Sequence, residues 1–358
     1  MMIRLNPLTV LKLRRFIAIR RGFISFLIFI ALLLLSAGAE LIVNSRALVV
    51  YYNGRIILPT YGRVRTGREF GLDYAYEANY RDLARRFHEA DEGNFVIMPP
   101  VPFGPLETDL KRGSYPPFPP DWQRGHYLGT DKVGRDVLAR LVYGFRISIV
   151  FSLILLFINY IVGIGIGSLM GYLGGGFDLF LQRVIEIWSN IPFLYAVMII
   201  STVVVPKIQH LGEAASIGAL LLVMVFFGWM NMTWYMRTAS YREKARDYIT
   251  AARALGASNG RIIVRHLIPN SISIIVTFIP FSISSGVTSL TALDFLGFGV
   301  PAPIPSWGEL LNQGVSQMSA PWIVTSVVTA MIIVLLLVNL IGESIREAFD
   351  PRKHTVYE

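Results

Sequence analysis

Long apolar runs alternate with short polar connections over most of the chain. The first run is Phe23–Val43, broken by a charge only at Glu40. An α-helix rises 1.5 Å per residue, so about 20 apolar residues cross a bilayer core of ~30 Å. Five later runs meet the same length: Phe145–Leu173, Ile187–Val205, Ala214–Met236, Ser271–Leu293 and Trp322–Ile341. The pattern predicts an all-α polytopic membrane protein with six transmembrane helices. Residues 141–341 form its main body and 342–358 a tail.

Polar, mixed-charge residues fill 44–140, between the first two spans. ALVVYYNGRIILPTY (47–61) predicts a β-hairpin, because Asn53-Gly54 accepts the positive φ angles of a tight turn between β-branched and aromatic residues. YRDLARRFHEA (80–90) spaces Leu83, Phe87 and Ala90 for one helix face. The prolines of MPPVPFGP and YPPFPPDW oppose regular helix and favour extended chain. A small α+β insertion is expected on one face of the membrane.

Charge then fixes orientation. The chain is 53% hydrophobic and 16% charged, below the about 25% charged residues of soluble domains. Its net charge of +9 raises the question of nucleic acid. The cations, however, fall where membrane topology places them. Arg4, Lys12, Arg14, Arg15, Arg20 and Arg21 precede the first span within segment 1–22. Arg237, Arg242, Lys244, Arg246, Arg253, Arg261 and Arg265 crowd the 237–270 loop, whereas 299–321 has no Lys or Arg. Short loops rich in Lys and Arg stay cytoplasmic. Both termini and the 237–270 loop are therefore expected inside and the insertion outside, and no nucleic-acid partner is required.

Candidate chemistry is sparse. There is no cysteine, and no P-loop, zinc-protease or nucleophile-elbow motif. The five histidines show no metal-ligand spacing, so no metal site and no catalytic residue are assigned. His126 with Asp131 is the nearest approach to an enzyme site and lacks a third partner. Gly163, Gly167 and Gly171 recur every four residues in the second span. They predict a close helix–helix contact rather than a nucleotide loop, since no strand or P-loop lysine accompanies them.

The most structured polar stretch is DYITAARALGAS (247–258). Asp247 is expected to cap a short helix, Ala251, Ala252 and Ala254 to favour it, and Gly256 to end it in a left-handed conformation. Ser258 would start a second helix, NGRIIVRHLI, which Pro269 ends or kinks. Helices this short need something to dock against.

DYITAARALGASNGRIIVRHLIPN (247–270) resembles the EAA loop of ABC-importer permeases, the loop that in that family meets the ATP-hydrolysing subunit through a coupling helix. The family pattern, E-A-A-x-x-x-G and then I-x-L-P, stands here as Thr250-Ala251-Ala252, Gly256 and His266-Leu267-Ile268-Pro269. Thr250 replaces the glutamate, whose side chain would complete a capping box with a cap at Asp247. His266 and Ile268 replace the isoleucine and leucine. The Arg-His and Pro-Asn flanks of that ending resemble the dipeptide/oligopeptide branch. So do HYLGTDKVGRDVLARLVYGFRISI (126–149), LDFLGFGVPAPIPSWGELL (293–311) and IGESIREAFDPRK (341–353). The insertion and the phrases DFLGFG and FDPRK are most similar to the Yej-type (microcin C-type) peptide permeases.

The resemblance implies a type I importer permease of the bacterial inner membrane, forming half of an oligopeptide pathway, microcin C-type peptides included. Its partners would be a second homologous permease, two ABC ATPase domains or subunits and a periplasmic substrate-binding protein. ATP and Mg would be bound by the ATPases and no cofactor by this chain. ATPase coupling falls on Asp247, Thr250, Ala251, Ala252, Arg253, Leu255 and Gly256. Asp294, at the outer end of the fifth span, is either a helix end near water or a gate that touches the peptide's amino terminus. The alternative is a membrane sensor whose ligand module is the insertion, which would normally add a cytoplasmic output domain.

Overall fold

A computed structural model of the chain describes residues 7–110 and 114–349. Arg4 and the end of the FDPRK signature lie outside these residues. The N-terminal segment is helical: α1 (Pro7–Ala18) breaks at Ile19 and continues as α2 (Arg20–Ala37) and a single turn, α3 (Ala39–Ile42). The insertion carries β1 (Val49–Tyr52), β2 (Arg55–Ile57), α4 (Tyr80–Ala90) and β3 (Phe95–Ile97). The remaining body comprises α5 (Val137–Leu173), α6 (Gly175–Ser189), α7 (Phe193–Ile208), α8 (Glu213–Gly228) and α9 (Met230–Lys244). After them come the short α10 (Asp247–Ala254), α11 (Asn259–Ile262) and α12 (Ile268–Asn270), then α13 (Ile272–Phe295), α14 (Trp307–Ser316) and α15 (Pro321–Phe349).

Among the described residues, five helical stretches are long and apolar enough to cross a membrane: α2, α5, α8 with α9, α13 and α15. The expected third span, 187–205, is not one straight helix. It is broken between α6 and α7, which meet at 77°, so a sixth crossing exists only if that bent pair counts as one. Pro192 explains the break, because it lacks an N–H and disfavours helical geometry at Ile191. Three of the other spans, α5, α8 with α9, and α15, outrun their apolar runs. α5 starts at Val137 rather than Phe145, and α15 ends at Phe349 rather than Ile341. Hydrophobicity marks only the part of a helix that lies in lipid, whereas its hydrogen bonding continues to a cap. At α5 that cap is Asp136, whose carboxylate accepts from the Ala139 N–H at 2.7 Å, so the insertion ends there and not at residue 140.

The glycine stripe brings α5 against α9. A Cβ built on Gly163 would lie 2.8 Å from the Met232 Cβ, and one on Gly167 would lie 2.9 Å from the Met236 Cβ. At Gly171 the Ser240 Cβ would be met at 2.5 Å, with the carbonyl oxygens of Thr233 and Arg237 closer still to the second and third positions. Only hydrogen fits at these three positions. Gly165, on the other side, meets nothing within 4 Å. A second packing layer joins Phe29 of α2, Phe145 of α5, Trp307 of α14 and Ile323, Val327 and Val338 of α15.

In the insertion the strands run β2-β1-β3, both pairs antiparallel, with Tyr51 opposite Ile56 and Phe95. Asn53 and Gly54 have φ of 47° and 77°, the two positive angles of the hairpin turn. α4 presses Leu83 and Phe87 onto Val50 and Phe70. Below this core, His126 is buried with its ring nitrogens 2.8 Å from Asp136 and 3.1 Å from Asp109. Asp131 instead binds Arg135 at 2.7 Å, so His126 and Asp131 do not form a site together. Arg135 also reaches Glu309 of α14 at 2.7 Å, and the fully buried Arg140 grips the other oxygen of the same carboxylate. These ion pairs fasten the N-terminal end of α5 to α14.

The α5–α9 contact predicts a sharp contrast between neighbouring glycines. Gly167→Leu should cost at least about 1–3 kcal/mol of overpacking and lower the yield and melting temperature of monodisperse protein, whereas Gly165→Leu should be tolerated.

Candidate coupling surface and transmembrane cavity

At the end of α9, the Arg246 N–H donates to the Glu243 carbonyl at 3.0 Å and closes that helix. Arg246 itself is extended and occupies the cap position of α10, without a side-chain cap bond. The cap therefore falls one residue before Asp247, which instead places its carboxylate in the exposed first turn, where it complements the helix dipole. The third helical position becomes Ile249, not Thr250. A glutamate at 250 would thus stand one residue too late for a reciprocal capping bond. The C-terminal end agrees with the pattern in the sequence. Gly256 has φ of +81°, its N–H donates to the Arg253 carbonyl at 3.0 Å, and the Ala257 N–H donates to the Ala252 carbonyl at 3.1 Å. Those two bonds make a Schellman cap.

The dock that these short helices need is, in the first place, the chain's own underside. Ile249, Ile262 and Leu267 are fully buried against Tyr160 and Tyr172 of α5 and Met232 and Met236 of α9. Arg253 lies over the Tyr172 ring and donates to its hydroxyl at 3.3 Å, and that hydroxyl donates to Asn259 at 3.2 Å. After α11 the backbone widens into a π turn over Ile263–Leu267, so the helix carries Pro269 inside α12 rather than stopping at it. The opposite face is open. Thr250, Ala251 and Gly256 are exposed, and Leu255 is 89% exposed, an apolar side chain with no cover from the described residues. Ala252 is half-buried and belongs to the inner face.

Two polar links that the sequence did not reveal brace the loop. Tyr248 donates to the Glu243 carboxylate at 2.8 Å and accepts from the Asn270 amide at 3.2 Å, joining the end of α9 to the start of the fifth span. Partial burial, helped by Glu243, pushes its phenol up to about 12, so it stays protonated and keeps donating. Arg237 forks onto Asp178 of α6 at 2.6 and 2.7 Å, and Tyr241 adds a third bond at 2.6 Å. Asp178 and Arg237 are 59 positions apart, and no local spacing signals such a pair.

On the other side of the membrane, Asp294 is buried. Its carboxylate accepts from the Val300 N–H and the Ser306 hydroxyl, both at 2.6 Å, and Gly299 lies against it with no room for a side chain. Asp294 staples the loop that follows α13 and borders a 510 Å³ cavity beside Ser201 and Pro206. A second cavity, of 390 Å³, opens between α5, α8, α9 and α13.

With this architecture of long helices, a small α+β insertion and a two-faced loop in place, residues 163–355 match the family described as "Binding-protein-dependent transport system inner membrane component". The chain belongs to that family. It is 40% identical to the inner membrane ABC transporter permease protein YejE of Escherichia coli, over 98% of this chain and 99% of that protein. The peptidoglycan transport system permease protein YejE of Agrobacterium fabrum is 37% identical over 97% and 94%. The oligopeptide transport system permease protein OppC of Escherichia coli is 33% identical over 72% and 82%. Among solved structures, a chain of the inward-facing MetNI methionine ABC transporter matches 59% of this chain and 96% of its own length, with TM-score 0.49 and 17% identity. This chain is accordingly an inner-membrane permease subunit of a binding-protein-dependent transport system.

Gly256→Ala should strain the left-handed cap by roughly 1–2 kcal/mol. Hydrogen exchange at the amides of residues 256 and 257 should then speed up by about 5–30-fold. Thr250→Glu should leave that exchange unchanged, because it gains no capping bond.

Proposed function

We propose that this chain is one permease half of a peptide importer, coupled to ATP hydrolysis in partner subunits through residues 247–256. The observation that carries the coupling is the division of the loop into two faces. Ile249, Ile262 and Leu267 fix one face to the transmembrane helices, while Thr250, Ala251, Leu255 and Gly256 leave the other free. A push on the free face moves the buried face with it, because Tyr248 and the Schellman cap keep the loop rigid. Such a lever works only if the ATPase binds it differently in two states, since equal affinity shifts no equilibrium.

A second permease would close the pathway, a binding protein would deliver substrate to the outer face, and both termini would lie on the side of the 237–270 loop. Peptide as the substrate class is supported by the oligopeptide transport role of the OppC relative. Asp294 then acts from within by holding the outer loop at the mouth.

Leu255 is the cleanest probe, because its side chain contributes nothing to the buried face. Leu255→Ser should lower ATP-driven peptide uptake by about tenfold, the loss of roughly 1.4 kcal/mol of contact, at an unchanged membrane level of the protein. Normal uptake in that variant defeats the lever.

A further inference from the structure

The 390 Å³ cavity has a chemistry the coupling surface does not explain. Asn159 and Tyr160 face it from α5, Asn231 and Tyr235 from α9, and Ser282, Ser285 and Ser289 from α13. The serines follow one another at three- and four-residue spacing, so they share one face of that helix. None of the described lining residues carries a charge. The site sits at mid-depth. α8 and α9 place 16 and 15 residues on either side of Trp229, where the helix is interrupted, and Ser282 and Ser285 flank the middle of α13. The interruption is partnered by side chains, since the Phe226 carbonyl accepts from the indoles of both Trp188 and Trp229 at 3.1 Å.

Within this lining one polar atom is orphaned. The Asn159 Oδ1 is buried and has no hydrogen-bond partner among the described residues. Beside it Gly228 has no side chain, and a Cβ there would collide with the Asn159 amide. An unpaired buried amide costs roughly 1–3 kcal/mol, and hydrocarbon offers nothing to satisfy it. The side chains of Asn231, Tyr235, Ser285 and Ser289 also line the cavity without a hydrogen bond among the described residues, whereas Tyr160 and Ser282 bond each other at 2.9 Å. Tyr235, stacked on Phe278 with centroids 3.8 Å apart, adds a flat apolar wall.

We infer that this cavity is a mid-membrane station that binds the peptide main chain through neutral amide and hydroxyl groups, with Asn159 as its central contact. The inference rests on the peptide-import reading and names what within the permease meets the substrate. Amides and hydroxyls pair with peptide N–H and C=O groups irrespective of the side chains those carry. A carboxylate or guanidinium in the wall would instead favour one charge and repel the other. The station therefore passes acidic, neutral and basic peptides alike, and discrimination falls to groups outside it.

The test uses the full complex of permease pair, ATPases and binding protein in liposomes. Uptake of Ala-Ala-Ala, Ala-Glu-Ala and Ala-Lys-Ala is measured at saturating loaded binding protein. In the unaltered complex the three rates should agree within about threefold, less than 1 kcal/mol of discrimination. Asn159→Asp should slow Ala-Glu-Ala at least about tenfold relative to Ala-Lys-Ala, the effect of a like charge in the wall. If Asn159→Asp fails to assemble, Ser285→Asp from the facing helix should give the same charge-selective loss. Equal slowing of all three peptides, no effect at all, or a strong charge preference in the unaltered complex would overturn the station. Absence of any peptide uptake by an assembled, ATP-hydrolysing complex would instead defeat the import reading itself.

Discussion

The contact on which the rest of the structure depends is the glycine seam between α5 and α9. Gly163, Gly167 and Gly171 let two backbones meet at a separation that any side chain would forbid. In lipid there is no hydrophobic drive to press helices together, so close van der Waals approach has to supply the attraction. That seam sets the depth and rotation of α9. It thereby turns Asn231 and Tyr235 toward the cavity, carries Arg237 to Asp178, and presents Met232 and Met236 as the floor on which the 237–270 loop sits.

Charge follows the same physics of solvation. Most of the buried charged groups lie near the helix ends and are ion-paired, while Asp294 is held by neutral donors instead. Asp178 and Arg237 close one end, and Arg135, Arg140 and Glu309 bind α5 to α14 at the other. Removing one partner from such a pair leaves an uncompensated charge, at a cost of about 3–5 kcal/mol. Between these two belts the cavity is lined by amides, hydroxyls and aromatic rings. The chain is rigidly fastened at both surfaces and chemically neutral in the middle, an arrangement suited to passing a substrate without trapping it.

The 237–270 loop applies one economy twice. Its short helices gain stability by burying Ile249, Ile262 and Leu267, and that burial also fixes them to the transmembrane body. Because the inner face is satisfied within the chain, the outer face with Leu255 is available to a partner without threatening the fold.

Much of this was legible in the sequence, because bilayer thickness and backbone hydrogen bonding constrain residue patterns directly. Apolar run lengths located the long helices, Asn53-Gly54 located the hairpin, and the four-residue glycine spacing located a packing face. The Ala-rich stretch before Gly256 located α10 and its Schellman end. Where the sequence reading diverged, non-local geometry decided. The cap moved from Asp247 to Arg246 because α9 closed first on Glu243, and that displaced Thr250 from a capping role. The third span broke at Pro192, and α5, α9 and α15 ran past their apolar limits. The partners of Asp178, Tyr248 and Asp294 and the convergence of Asn159, Asn231 and Ser285 lie on different helices. Periodicity along one helix says which face a residue occupies, but not which face of another helix it will meet. That choice belongs to packing.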